Sequence, residues 1–152
     1  MRLGFETTAQ TTPSVAIVVP SFQQGRYLPF ALEGLARQTY SPVETSVFDN
    51  VSTDASGDVL RLFEGRVSRI VRAADAGQAD ALRTGFGDSS GEVLGWLNAD
   101  DMILPDTVER VTSIFRSHPE VDVVYGDCAF LSDRGQFLGY FHDIQDFSQR
   151  DL

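Results

Sequence analysis

Short continuous apolar runs alternate along this chain with stretches in which apolar residues recur every three or four positions. Val15–Val19 is an uninterrupted β-prone run ended by Pro20, which is typical of a strand buried on both faces of a parallel sheet. Further runs of the same kind predict strands over residues 45–48, 67–71, 92–97 and 121–125.

The stretches between these runs predict amphipathic helices, because spacing by three or four residues places apolar side chains on one helix face. Ser52, Thr53 and Asp54 are N-cap candidates for the second helix, and Pro105 suits the first turn of the fourth. The apolar positions of the four helices lie in residues 27–35, 59–63, 79–86 and 108–115.

Strand and helix therefore alternate four times before a fifth strand. This order predicts an α/β fold with a mostly parallel central sheet and helices on both faces. A β-hairpin follows, in which Cys128–Leu131 and Gln136–Phe141 flank a polar turn. We expect residues 14–141 to form one domain, 1–13 a flexible lead-in, and 142–152 a tail leading toward an acceptor region beyond this chain.

Composition narrows the functional classes. The 152 residues carry a formal net charge of -10, which disfavours nucleic acid and anionic membranes as partners because both need a positive field. The single cysteine, Cys128, excludes an intramolecular disulfide and a thiol-based zinc site. It favours a reducing cytoplasm, and peripheral attachment at the inner membrane face stays open. An exposed strand edge after the hairpin leaves an oligomer open as well.

Polar and acidic residues follow the predicted strands, at the edge where open parallel sheets bind ligands. Asp100 and Asp101 are the sharpest feature, because adjacent carboxylates repel each other and need a cation, a donor network or full solvation. Carboxylate oxygens suit Mg²⁺ or Mn²⁺, which usually bind few protein carboxylates together with substrate phosphates. On spacing alone, a pair of aspartates that caps the helix near Pro105 is at least as good an interpretation.

Four other residues near these strand ends also have two interpretations. Asp49 could contact a base or a ribose, or cap a turn. Arg83 could reach a phosphate, or lie solvated on a helix face. Asp80 could bind a sugar hydroxyl, or pair with Arg83 at i,i+3. Trp96, within the fourth strand, could be a stacking platform, but we expect it to belong to the core.

The ordered set of motifs from about Val15 to Tyr125 resembles glycosyltransferase family 2, whose members have the GT-A fold. Phe48–Asp54 is similar to the family's Asp-Asp-Gly-Ser-Thr-Asp segment, and Gly95–Asp101 to its Asp-any-Asp metal motif. Asp75–Ala81 resembles the loop and helix near the diphosphate. The chain is thus similar to the N-terminal nucleotide-sugar-binding part of a bacterial member, of a kind used in cell-wall or polysaccharide biosynthesis.

The resemblance implies a role for each matched position. A nucleoside-diphosphate sugar, with uridine diphosphate favoured, would be the donor, and a glycan, lipid or protein the acceptor. Mn²⁺ or Mg²⁺ would be the cofactor, and transfer would invert the anomeric centre. The implied roles are a nucleoside pocket at Pro20, Ser21 and Phe22, base recognition by Asp49 or Asn50, sugar or diphosphate contacts at Asp80 and Arg83, ribose and metal contacts near Asn98 and Ala99, and metal ligation by Asp100 and Asp101.

Departures from the family pattern keep alternatives open. Asn50 and Asn98 replace common aspartates, and the general base of the inverting members is expected beyond this chain. A donor-binding module without transfer activity is therefore one alternative. A nucleotidyltransferase is another, although residues 20–25 contain one glycine rather than a glycine-rich loop. A response-regulator-like receiver is disfavoured, because the chain contains no lysine.

Overall fold

The computed structural model describes residues 12–141, so the predicted tail and all but two residues of the predicted lead-in lie outside it. The chain divides into two compact units, Met1–Ser113 and Ile114–Leu152. The elements are β1 (Val15–Ser21), α1 (Leu28–Ala36), β2 (Val43–Asp49), α2 (Ser56–Leu62), β3 (Arg69–Arg72), α3 (Gln78–Asp88), β4 (Val93–Trp96), α4 (Thr107–Ser117), β5 (Cys128–Leu131) and β6 (Phe137–Phe141).

The first unit is built on a four-stranded parallel sheet with the order β3-β2-β1-β4. β1 is central and buried at every position, as its apolar run predicts. Side chains of α1, α2 and α4 form one core with Val15, Ile17 and Val19. Ala81 of α3 packs with Val18 on the opposite face. The predicted α/β class, with a parallel sheet and helices on both faces, is confirmed.

β1 runs one residue beyond Pro20, where its sequence predicts an end. Leu97 donates its N–H to the carbonyl of Val18 at 3.1 Å, so Val18 and, two residues on, Pro20 face the β4 side. Pairing with β4 ends at the register Val18–Trp96, and the missing N–H of proline therefore leaves no ladder bond unmade. The extension carries Ser21 to the carboxyl edge of the sheet.

The predicted fifth strand is wrong, because residues 121–125 adopt no strand conformation. A strand is stable only when its N–H and C=O groups join a ladder, and this segment joins none of the ladders among the described residues. Val123 is 73% exposed, so the run is not covered as its hydrophobicity predicts. Residues 121–125 therefore have high β-propensity but no neighbouring strand, among the described residues, with which to pair.

The predicted burial of Trp96 in the core is also wrong, since 59% of this residue is exposed. It lies in register with Val18 and so shares the sheet face that α3 covers. α3 packs there against β1 and β2, and β4 is the edge strand of the described sheet. The position of β4 in the sheet, rather than its composition, explains the exposure.

The second unit contains the hairpin β5–β6, which confirms the predicted pairing. Gly135 takes a φ of 76° in the turn, and Ser132 N–H donates to the Gln136 carbonyl at 2.8 Å. Apolar side chains of both strands are exposed. Across residues 12–141, every helix is too short or too polar to cross a bilayer.

Candidate functional site

A cavity of about 440 Å³ opens at the carboxyl edge of the sheet in the first unit. The ends of β1, β2 and β4 and the start of α3 form its walls, as expected for a ligand site on a parallel sheet. Six of the eleven residues predicted for the site lie on these walls. They are Pro20, Ser21, Phe22, Asn50, Asn98 and Asp100.

The loop after β1 is held by the loop after β2. Ser52 Oγ accepts from the N–H of Gln23 at 2.8 Å, and Asp54 Oδ2 accepts from the N–H of Gly25 at 2.8 Å. Gly25 packs so closely that an added Cβ would lie 2.4 Å from the nitrogen of Ser56. The two loops therefore form one rigid wall, which presents the 57% exposed ring of Phe22.

These contacts correct the predicted helix cap. The N-cap residue of α2 is Ala55, which makes no side-chain cap. Asp54 contributes from one position earlier, since its Oδ1 accepts from Ser56 N–H at 3.0 Å. Ser52 and Thr53 bind Gln23 instead, through Ser52 Oγ and Thr53 Oγ1. Tertiary contacts between neighbouring loops took up the polar groups that the sequence assigned to local capping.

Asp49 lies beneath the cavity wall with its side chain wholly buried. Its Oδ2 accepts from Arg72 Nε at 3.0 Å and from the N–H of Ser52 at 3.1 Å. Its Oδ1 is buried without a hydrogen-bond partner in the described chain. Asn50, rather than Asp49, is the member of this pair that faces the cavity.

The side chain of Asn50 ties the end of β2 to the loop after β3. Its Oδ1 accepts from the N–H of Asp75 at 3.1 Å, and its Nδ2 donates to the carbonyl of Asp75 at 3.4 Å. These contacts fix which side of the amide is oxygen and which is nitrogen. Each end of the amide keeps one further hydrogen-bonding position, which a ligand could use.

The start of α3 forms the opposite wall. Gly77 precedes the helix with a φ of 107°, and Asp75 Oδ1 accepts from the N–H of Gly77 at 2.8 Å. Gly77, Gln78 and Ala81 line the cavity. The N–H of Asp80 donates to the Gly77 carbonyl at 2.9 Å, so the N–H groups of Gln78 and Ala79 are the ones that lack intrahelical acceptors. The helix dipole is positive at this end, so these two groups can bind an anion.

Asp80 and Arg83 lie on α3 away from the cavity lining. Arg83 is 78% exposed, and its Nη2 donates to Asp80 Oδ1 at 2.6 Å. This hydrogen bond, together with one from the N–H of Ala76, holds the pKa of Asp80 below its ordinary value. The i,i+3 pair suggested by the sequence is present, and a role at the sugar or diphosphate stays a prediction.

The loop after β4 separates the two adjacent aspartates. Asp100 is exposed on the cavity wall, and its carboxylate has no hydrogen bond or ion pair within the described chain. Asp101 lies off the wall, and its Oδ2 accepts from Asn98 Nδ2 at 3.0 Å. Ala99, directly before Asp100, is fully buried, so its side chain offers nothing to a ligand.

The alternative in which this pair caps the following helix is wrong. α4 begins at Thr107, six residues beyond Asp101. The N–H of Val108 is satisfied by Gln38 Oε1 at 3.0 Å. Gln38 also donates from Nε2 to the carbonyl of Leu104 at 2.8 Å, so the segment that follows α1 anchors the loop that carries the aspartates.

The acidic residues fit a divalent cation only in company with a ligand. No group of three histidine, cysteine or acidic side chains among residues 12–141 is arranged to hold a metal. Of the described acidic residues after β4, only Asp100 lines the cavity, and Mg²⁺ or Mn²⁺ bound there would need further oxygen atoms. Phosphate oxygens at the α3 wall are the chemically suitable source.

The predicted site residues did not include five residues that line the cavity, although the resemblance had placed the segment Asp75–Ala81 near the diphosphate. The five are Gln24, Asp75, Gly77, Gln78 and Ala81. Sequence reasoning also missed Arg72, which neutralises Asp49. One signal was available, because an arginine ends the strand that follows the strand ending in Asp49. Register then places Arg72 beside Asp49, but register is decided by sheet assembly.

Comparison with known proteins extends these observations. The model of glycosyl transferase family 2 matches residues 16–138. The chain is 32% identical over 133 residues to a PGL/p-HBAD biosynthesis glycosyltransferase of Mycobacterium bovis (strain BCG / Pasteur 1173P2), covering 85% of this chain and 52% of that protein. It is 29% identical to an uncharacterized glycosyltransferase of Nostoc sp., covering 73% and 35%. The chain thus spans about a third to a half of these relatives.

Two solved structures have the same fold. TarS 1-349 of S. aureus in complex with UDP-GlcNAc superimposes with a TM-score of 0.63 at 19% identity, covering 70% of this chain and 32% of that chain. The mannosyltransferase PcManGT from Pyrobaculum calidifontis, in complex with GDP-Man and Mn2+, gives 0.62 at 23% identity, covering 78% and 35%.

Proposed function

Because this chain belongs to glycosyltransferase family 2, we propose that its cavity binds a nucleoside-diphosphate sugar and presents the sugar for transfer to an acceptor. One observation carries the proposal. The carboxylate of Asp100, exposed and without a partner among residues 12–141, and the positive end of α3 line the same cavity, so a cation and a diphosphate can be held together there.

The nucleoside occupies the wall formed by β1 and β2. The exposed ring of Phe22 provides a surface on which a base can stack. Asn50 keeps one donor and one acceptor position, a combination that matches the N3–H donor and O4 acceptor of uracil. Guanine offers the same pair in its N1–H donor and O6 acceptor, so UDP and GDP are the two nucleotides to test. TarS and PcManGT were solved with UDP-GlcNAc and GDP-Man, respectively.

The diphosphate occupies the wall formed by α3 and the β4 loop. The N–H groups of Gln78 and Ala79, the first two residues of α3, can donate to its oxygens. Asp100 would hold Mn²⁺ or Mg²⁺, with Asp101 beside it. The bound cation would stabilise negative charge on the departing nucleoside diphosphate.

Transfer would proceed with inversion. The acceptor hydroxyl oxygen forms a bond to the anomeric carbon, the bond between that carbon and the diphosphate oxygen breaks, and the acceptor proton passes to a general base. We place that base outside residues 12–141, since inverting members of the family carry it after their nucleotide-sugar-binding region. A protein lacking the base would bind the donor and release no nucleotide.

Calorimetry with UDP and GDP, each with and without Mn²⁺, tests donor binding. We expect one nucleotide to bind with Mn²⁺ and to bind far more weakly without it. Equal affinity in both conditions, or no binding of either nucleotide, would overturn the proposal. Nucleotide release from the matching sugar donor, on addition of acceptors, then distinguishes a transferase from a donor-binding module.

A further inference from the structure

A chain of side-chain hydrogen bonds links α3 to the loop after β4. Gln78, the first residue of α3, donates from Nε2 to Asn98 Oδ1 at 2.8 Å. Asn98 donates in turn from Nδ2 to Asp101 Oδ2 at 3.0 Å. Gln78 and Asn98 both line the cavity, so this chain of bonds crosses its wall.

Which group donates in each of these hydrogen bonds follows from the carboxylate of Asp101. An ionised Asp101 only accepts hydrogen bonds, so Asn98 must turn its Nδ2 toward Asp101. The Oδ1 of Asn98 then faces Gln78, which must donate. The side chain of Asn98 therefore accepts one hydrogen bond from Gln78 and donates one to Asp101, and these two bonds hold it in a single orientation.

We propose that Gln78 is a positioning residue which, through Asn98, holds Asp101 in place beside the metal-facing carboxylate and leaves Asp100 as the cation's contact from the β4 loop. The inference rests on the proposed function, since it concerns the same cation and diphosphate. In the proposed function the cation is bound together with the diphosphate, so the joint uptake of Mn²⁺ and nucleotide is the quantity that this positioning should change.

Charge explains why the residue between Gln78 and Asp101 is an amide, Asn98, rather than a carboxylate. A carboxylate at position 98 would lie 3.0 Å from the carboxylate of Asp101, and two like charges at that separation repel strongly. A cation bound between them would relieve the repulsion without any nucleotide. Asn98 removes one of these charges and converts the repulsion into a hydrogen bond.

Electron paramagnetic resonance of free Mn²⁺, recorded on the purified protein with and without UDP or GDP, tests the inference without an activity assay. We expect the wild-type protein to take up Mn²⁺ only when nucleotide is present. Gln78→Ala should weaken the joint uptake by about tenfold, as loss of a ligand-orienting partner typically does. Asn98→Asp should take up Mn²⁺ without nucleotide.

A double-mutant cycle separates positioning from direct contact. If Gln78 acts through Asn98, the variant Gln78→Ala/Asn98→Ala should bind no more weakly than Asn98→Ala. Additive losses would overturn the positioning role and assign Gln78 a contact of its own with the ligand. Gln78→Met keeps the length of the side chain, loses the donor without adding a charge, and should behave as Gln78→Ala.

Two controls keep the result interpretable. Gln78 is exposed, so its variants should melt at the wild-type temperature, and Gln136→Ala is a matched exposed glutamine in the hairpin. Wild-type protein that binds neither nucleotide with Mn²⁺ overturns the proposed function and this inference together. Wild-type binding that Gln78→Ala leaves unchanged overturns this inference alone.

Discussion

The ends of β2 and β4 carry aspartates in opposite surroundings. Asp49 is wholly buried and paired with Arg72, whereas Asp100 is exposed on the cavity wall without a partner in the described chain. Arg72 is available to Asp49 because β3 lies in register beside β2. β4 is the edge strand of the described sheet, and no strand there supplies a comparable cation. The same residue type therefore serves packing at one strand end and is open to a ligand at the other.

Replacing the exposed carboxylate should produce the largest effect on binding. Asp100→Ala removes the proposed cation contact, and we expect Mn²⁺-dependent nucleotide affinity to fall by about 100-fold, the upper range for disturbed metal sites. Stability should hardly change, because the side chain is exposed and has no partner in the part of the chain that the structure describes. Calorimetry and thermal melting measure the two quantities.

Asp58→Ala provides the matched control for this variant. Asp58 is an exposed aspartate on α2 that pairs with Arg61 at i,i+3 and lies outside the cavity lining. It should bind nucleotide as the wild type does. Equal nucleotide affinities of Asp100→Ala and Asp58→Ala would contradict the role of Asp100 as a cation contact.

Breaking the buried pair should affect stability instead. Arg72→Met leaves the carboxylate of Asp49 buried without its cation, and we expect the free energy of unfolding to fall by about 2 kcal/mol, below the range for fully buried pairs because Arg72 is 43% exposed. Urea denaturation measures this loss.

The double variant Asp49→Asn/Arg72→Met removes both charges of this pair. It should recover part of the loss, because no uncompensated charge remains buried. If Arg72→Met is as stable as the wild type, the contribution of the Asp49–Arg72 pair to stability is contradicted.

Backbone strain at the end of β2 offers a smaller effect. Val51 takes a φ of 50°, a left-handed conformation that is unfavourable for a β-branched residue. Val51→Gly should raise the free energy of unfolding by about 1 kcal/mol, the strain typical of such residues. Val47→Gly, at a fully buried position of β2, should be destabilising in the same denaturation assay.

The smallest effect concerns the surface pair on α3. Removing the hydrogen bond in Arg83→Ala should raise the pKa of Asp80 toward its ordinary value, as an NMR titration of the carboxyl carbon would record. A carboxyl pKa lowered by folding stabilises the protein above the unfolded-state pKa, and this contribution is lost as pH falls through the folded-state pKa. The variant should therefore lose less stability on acidification.

A second measurement on Arg83→Ala separates its two interpretations. If Arg83 only pairs with Asp80, nucleotide affinity should stay at the wild-type level. A clear fall in affinity would instead support the predicted phosphate contact and would extend the ligand site beyond the cavity lining.

Much of the fold followed from patterns that depend on near neighbours. The apolar run at Val15–Val19 marked the central strand, and helical spacing marked α1 to α4. The same reasoning failed at residues 121–125, because β-propensity does not supply a pairing partner. It also failed at Trp96, because burial on a strand depends on which helix covers that part of the sheet.

The amino-acid sequence by itself determined the alternation of strands and helices, and with it the edge at which polar residues collect, since connections between parallel strands bring their carboxyl ends together. Only the tertiary structure decided that Asp49 is buried against Arg72, that Asp100 is open, and that Gln78 reaches Asn98. Each of these depends on register and on the approach of separate elements. Such contacts join residues about twenty positions apart, which local spacing cannot encode.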